Sequence, residues 1–268
     1  MFAKLKHVAI VSDRFALLGK FYQTLFGMKS SAAAAAELRG AATVGDGYVG
    51  LNINSRGPGR QSGLDHFGFE VEDVETVFAR LRAKYPKIKV LQRPGGRSFA
   101  GISTHDPAGN VFDLSKGVGK RRGVYEEGEW QQDRYLHHLA LRAVNPEIVA
   151  EFYREIFDLQ ALEKPAGDPN FYLSDGRLTF TVMPWDITDY LGSGIERPAL
   201  DHLGFHVENL AAFHKDLAAL IESDPSLAPR RARKMAEGDA RQRLFSTCPH
   251  GKFHLADPDG VLIDVTEK

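Results

Sequence analysis

The chain has 268 residues, 43% of them hydrophobic, with a formal net charge of −1 and a pI near 6.8. That length suits one large domain or two of ordinary size, and the near-neutral balance argues against a nucleic-acid or anionic-membrane partner. Cys248 is the only cysteine, which excludes a disulfide framework and a cysteine-based zinc site.

In chain order the first strand-like segment is LKHVAIV (5–11), followed by SDRFALLGKFYQTLFGM, whose apolar residues recur at helical spacing behind the cap candidate Ser12. A β-rich run, GDGYVGLNIN (45–54), closes this unit. The second strand is LDHFGFEV (64–71), then the amphipathic VEDVETVFARLRAKY, then a turn and last strand in DPAGNVFDLS (106–115). After a glycine- and charge-rich stretch the pattern restarts with LHHLALR (136–142), a helix behind the cap candidate Asn145, and SDGRLTFTVM (174–183). The fourth unit opens with LDHLGFHV (200–207), continues with VENLAAFHKDLAAL and ends in DPDGVLIDVT (257–266). The basic clusters GKRRG (119–123) and PRRARK (229–234) read as solvated segments.

The period is roughly sixty residues, and each unit reads strand, helix, then about three strands. Units one and three match, as do two and four, so the chain is a duplication within a duplication. The predicted organisation is an N-terminal half over 1–116 (modules 1–57 and 62–116), a linker over 117–133, and a C-terminal half over 134–268 (modules 134–186 and 198–268). Every module places a histidine third in its first strand: His7, His66, His138 and His202.

Four βαβββ modules with H-x-[AG]-[IFL] openings, FYxxLFG-like helices and DPxGxxx[DE] endings resemble the vicinal oxygen chelate superfamily. That group includes glyoxalase I, bleomycin-resistance proteins and type I extradiol dioxygenases, and the two-domain extradiol form is the nearest in pattern. The resemblance implies an α+β fold in which paired modules form two curled, cup-like mixed sheets with helices outside and metal ligands on the inner wall. Which modules pair, one with two or one with four, stays open.

Strand alternation places His202, Gly204 and His206 on one face and Leu203, Phe205 and Val207 on the other. In the last strand Leu262 and Asp264 lie opposite Val261, Ile263 and Val265; an acid between β-branched neighbours needs a partner if its face is buried. Module two repeats this with His66 and Asp113. At the position where glyoxalase-like relatives carry a glutamate, modules one and three have Asn52 and Thr181. Each cup therefore holds two histidines and one carboxylate, an arrangement that leaves coordination places open for substrate and dioxygen.

Carried over residue by residue, the extradiol ligand set is His138, His202 and Asp264, with Asp264 standing where that group has glutamate. The second trio is His7, His66 and Asp113. A three-residue hairpin loop ending at Gly260 puts His254 across from Asp264, where extradiol relatives keep a tyrosine. His254 and His206 are the candidate acid–base groups, and module two has Ser103 and Glu70 at the same places. HGKFH (250–254) also reads as an independent metal loop.

The implied activity is a metal-dependent, ring-cleaving dioxygenase acting on a catechol-like vicinal diol, with Fe(II) as the expected metal and Mn(II) or another divalent ion as substitutes. The expected partners are an aromatic small molecule and dioxygen, with a homo-oligomer compatible. The rivals are a lyase, isomerase or epimerase of glyoxalase type and a drug-binding module without metal. The N-terminus lacks the apolar core of a signal peptide, so a reducing cytoplasm is the expected location.

Overall fold

The computed structural model of the chain describes residues 1–30, 40–93, 99, 101–117, 132–193, 197–231, 236–245 and 248–267. Most of the expected linker (118–131) and part of the PRRARK cluster lie outside the described residues. Module one supplies β1 (Ala3–Val11), α1 (Phe15–Phe26), β2 (Lys29–Ser30), β3 (Ala41–Gly45) and β4 (Gly50–Asn54). Module two supplies β5 (Gly63–Val71), α2 (Val74–Lys84), β6 (Leu91–Gln92), β7 (Ile102–His105) and β8 (Val111–Ser115). Module three follows with β9 (Tyr135–Ala143), α3 (Pro146–Phe157), β10 (Gln160–Ala161), β11 (Phe171–Ser174) and β12 (Thr179–Pro184), then α4 (Ile187–Ser193). Module four has β13 (Leu200–Val207), α5 (Leu210–Ser223), α6 (Ala236–Phe245), β14 (Phe253–Ala256) and β15 (Leu262–Glu267).

The fourth module departs from the expected unit. Among the described residues it has no short edge strand after its first helix; a 3₁₀ turn at Pro225–Leu227 and α6 take that place. The strands form two mixed sheets, in the orders β2-β3-β4-β1-β5-β8-β7-β6 and β10-β11-β12-β9-β13-β15-β14. Because β1 pairs antiparallel with β5, and β9 with β13, module one joins two and module three joins four. Neither sheet closes into a barrel.

Helix α1 buries Leu18, Phe21, Tyr22, Leu25 and Phe26, one stripe at helical spacing, and stops where Gly27 turns left-handed at φ 67°. Its counterpart α3 begins at Pro146 and ends at Asp158, which takes the same left-handed turn at φ 55° without being glycine. The capping expectation holds in position for Asn145 and fails for Ser12, since Arg14 takes the cap of α1. Ser12 Oγ accepts the Arg14 N–H, so it makes a tight turn ahead of the helix, and Asn145 holds the cap position without a side-chain bond.

The two halves interlock reciprocally. Phe26 stacks on Phe205 of β13 at 4.0 Å between ring centroids, and Phe157 stacks on Phe69 of β5 at 4.5 Å. The Tyr22 hydroxyl donates to Asp257 and the Tyr153 hydroxyl to Asp106, each at 3.0 Å. Asp46 accepts the Leu136 N–H and Asp175 accepts the Leu5 N–H, each at 2.8 Å. The aspartates of the DPxG and DG turns, repeated in sequence, each accept a bond from the opposite half.

Asp257 offers a pH test of this interlock. Burial raises its pKa from 3.8 to about 6 despite hydrogen bonds from Val261, Asp259, Tyr22 and Gly260 that pull it down. The native state then binds the extra proton between those values, so this contribution is present at low pH and lost as pH rises through about 6. Measured by urea denaturation, the stability of the wild type relative to Asp257→Asn should fall by roughly 2–3 kcal/mol between about pH 4 and about pH 7. A constant difference would show that burial does not govern this carboxyl.

Candidate metal centre

The register of the C-terminal sheet explains how residues far apart in the chain meet. His138 on β9 pairs with Gly204 on β13, Gly204 pairs with Asp264 on β15, and Asp264 pairs with His254 on β14. One row across four strands therefore reads His, Gly, Asp, His. Side chains two strands apart are separated by about 10 Å of backbone, and the missing side chain at Gly204 lets them converge. The His138 ring lies across that glycine, where an added Cβ would sit 1.9 Å from the ring. His202, two residues back on β13, joins on the same face.

His138 Nε2 lies 3.3 Å from His202 Nε2 and 3.3 Å from Asp264 Oδ2, and His254 Nε2 lies 3.2 Å from Asp264 Oδ1. His138, His202 and Asp264 are all fully buried. Neither Asp264 oxygen accepts a well-aligned hydrogen bond, and His254 Nε2 likewise has none. The donor atoms of His138, His202, Asp264 and Cys248 lie within 4.8 Å of one another. A buried carboxylate without a well-aligned hydrogen bond is costly, and imidazole plus carboxylate is a donor set for a divalent cation. The residues fit a metal ion.

Protonation supports the same reading. Burial lowers the His138 pKa to about 3, against the Asp264 carboxylate, which works the other way, so this ring offers a lone pair. Burial likewise lowers His250 to about 4. Asp264 is pushed up by burial but more strongly down by the imidazoles beside it, and remains ionised. His202 is oriented from behind: its Nδ1 lies 2.7 Å from Asp201 Oδ2, leaving Nε2 to face the centre. Asp201 is in turn held by Arg142 at 3.0 Å and by Arg241 of α6 at 2.8 Å. Asp201→Asn should weaken metal binding about 10–100-fold, as is usual for such supporting groups, in a titration with Zn(II); unchanged affinity would show that Asp201 serves the Arg142 pair alone.

The N-terminal sheet repeats the row as His7, Gly68, Asp113 and Ser103, and His7, His66 and Asp113 also bring donor atoms within 4.8 Å. Its surroundings differ. His66 Nε2 is 3.3 Å from Asp113, and its Nδ1 is 2.6 Å from Asp65. Against burial, these two carboxylates raise the His66 pKa to about 9. Ser103 also hydrogen-bonds Asp113 and is itself bonded by Arg93. Phe99 stacks on His7 at 5.1 Å, and a Cβ on Gly68 would meet its ring at 2.7 Å. An aromatic ring fills this cup above His7.

Of the two candidate proton-transfer residues, His254 touches Asp264, whereas His206 stacks on Tyr135 at 4.8 Å, its ring nitrogens without hydrogen bonds. The HGKFH segment is not an independent site: His250 packs on His138 at 4.6 Å and lies 3.3 Å from Thr181 Oγ1, inside the same cluster. Sequence reasoning missed His137 and Asp201, set Cys248 aside as a lone cysteine, and read His250 as part of a separate metal loop. The aspartate preceding histidine in both LDH segments was a readable signal for Asp201; the approach of Cys248 was not.

Residues 4–114 match the model of the Glyoxalase/Bleomycin resistance protein/Dioxygenase superfamily. This segment is a domain of that superfamily. The whole chain is also similar in fold to solved structures. The Mn(II)-bound glyoxalase from Novosphingobium aromaticivorans aligns over 99% of this chain and 82% of its own, with TM-score 0.67 and 15% identity. A catechol 2,3-dioxygenase aligns over 100% and 88%, with TM-score 0.66 and 12% identity. Homoprotocatechuate 2,3-dioxygenase from Arthrobacter globiformis aligns over 100% and 80%, with TM-score 0.62 and 16% identity. No curated protein matches the sequence. At such identities the likeness is one of fold, and members of one superfamily fold differ in chemistry.

Proposed function

We propose that the chain is a metal-dependent, ring-cleaving dioxygenase of the extradiol type, acting on a catechol-like vicinal diol in its C-terminal cup. The observation that carries this reading is the buried convergence of two imidazoles and one carboxylate, His138, His202 and Asp264. A divalent ion held there, Fe(II) by preference and Mn(II) as a substitute, supplies the charge that acidifies a chelating diol and, as iron, the redox chemistry of oxygen. His254, between Asp264 and a partly exposed edge with 16% of its side chain accessible, holds or passes a proton at Nε2. His206, on the same strand face, donates to or orients the substrate. Phe245 packs against both His202 and His254 and keeps water from that side. The trio His7, His66 and Asp113 is a secondary site in this proposal, because Phe99 and the ion-paired His66 compete with a ligand there.

The reading places the protein in a reducing compartment, the cytoplasm; no described helix is long and apolar enough to cross a membrane. Protein loaded anaerobically with Fe(II) should consume oxygen with a panel of catechols and form a yellow product. Absence of uptake across a broad panel would count against it. One observation favours a second reading, a Lewis-acid isomerase or lyase: Cys248 Sγ also lies within 4.8 Å of the other three donors, and a fourth protein ligand would leave fewer open places on an ion. Turnover with Zn(II), Ni(II) or Co(II) under strict anaerobiosis would select that alternative.

A further inference from the structure

We propose that Cys248 is a fourth protein ligand of the metal in the C-terminal cup, an inference that rests on His138, His202 and Asp264 forming a metal site. Its sulfur lies 3.8 Å from His138 Nε2, and the four donor atoms fall within 4.8 Å of one another. Cys248 is only 3% exposed. Independently of the thiol, the fully buried Asp264 has imidazole nitrogens 3.2 and 3.3 Å from its oxygens but no well-aligned hydrogen bond to either. A buried carboxylate held by contacts of that length, with two imidazoles and a thiol around it, suits a cation.

The chain just after the cysteine is built for this approach. An added Cβ on Gly251 would lie 1.2 Å from Asp264 Oδ1, so the backbone at this position rests directly on the carboxylate, a contact open only to glycine. The duplicated half supplies the contrast. Phe99 stands three residues before β7, as His250 stands three residues before β14, and each ring packs on the first-strand histidine of its own sheet. Where the N-terminal cup receives an apolar ring, the C-terminal cup receives an imidazole, with a thiol two residues earlier.

Coordination replaces the S–H bond by a sulfur–metal bond; the proton leaves to solvent and no electron is transferred. Two imidazoles, a carboxylate and a thiolate form a four-donor set that a zinc-type tetrahedral ion accepts. A soft sulfur donor also shifts preference from Mn(II) toward Zn(II), Co(II) and Fe(II). With sulfur bound, fewer places remain for substrate, which weights the metal-bound chemistry toward polarising a diol or carbonyl.

The test is spectroscopic. Wild-type protein loaded with Co(II) should show a near-ultraviolet thiolate-to-cobalt charge-transfer band beside its visible bands. Cys248→Ser should keep bound Co(II) on the remaining donors and lose that band. Zn-edge X-ray absorption of the wild type, which needs no variant, should show a sulfur neighbour at about 2.3 Å. Co(II) and Zn(II) bound with nitrogen and oxygen neighbours only would overturn the inference and leave the three-ligand site standing. Failure of the wild type to bind either ion would instead overturn the metal reading itself and this inference with it.

Discussion

Replacing Asp264 by alanine should strip the C-terminal cup of its metal while leaving the fold in place. The carboxylate belongs to β15, is fully buried, and is the one acid that the sheet register sets beside His138. Removing a supporting carboxylate in other metal sites costs about 10–100-fold in affinity; removing the ligand itself should exceed about 100-fold. The metal-free protein should respond differently. Burying the ionised carboxylate costs free energy, which the imidazoles at 3.2 and 3.3 Å offset; alanine gives up both the cost and the offset. The melting temperature of the metal-free variant should therefore lie close to that of the metal-free wild type. Elemental analysis after dialysis, together with calorimetry on both metal-free proteins, makes the comparison. Retained metal would show that the ion is held elsewhere; a large loss of stability without metal would make the His138–Asp264–His254 row a structural ion-pair network.

Phe205→Ala should lower the stability of the whole molecule, not of the C-terminal half alone. Phe205 lies on β13, yet its closest ring is Phe26 of α1 at 4.0 Å, with Tyr22 of the same helix at 6.1 Å. All three are fully buried. Truncating such a phenylalanine typically costs about 3–5 kcal/mol, which for a chain of this size is a fall in melting temperature on the order of 10 °C. Because the lost contact crosses between halves, and the Asp46, Asp106, Asp175 and Asp257 bonds also cross, a single cooperative transition should move as a unit. Two separated transitions, with only one displaced, would show that each half folds alone.

Much of the fold was legible because the repeat amplified weak local signals. One histidine-bearing strand predicts little; four in register, each with its amphipathic helix, predict strand, helix and sheet face together. The row of His138, Asp264 and His254 was reachable by counting, since side chains alternate along a strand and Gly260 ends a tight hairpin. The fourth module broke the pattern where the repeat stops. Its 3₁₀ turn and α6 replace an edge strand, and from there Arg241 reaches Asp201, Phe245 reaches His202, and Cys248 follows. No periodicity announces those contacts.

The sequence by itself determined the module, its fourfold recurrence, and which histidines and aspartates share a strand face, because these follow from chain-local rules of period and turn. Only the tertiary structure decided that module one pairs with two and three with four, since both pairings bury the same apolar faces. Tertiary packing also made the cups unequal, bringing Phe99 over one and Cys248 with His250 into the other. That difference lies in loops whose path is set by what they pack against, and packing distances are not written in residue spacing.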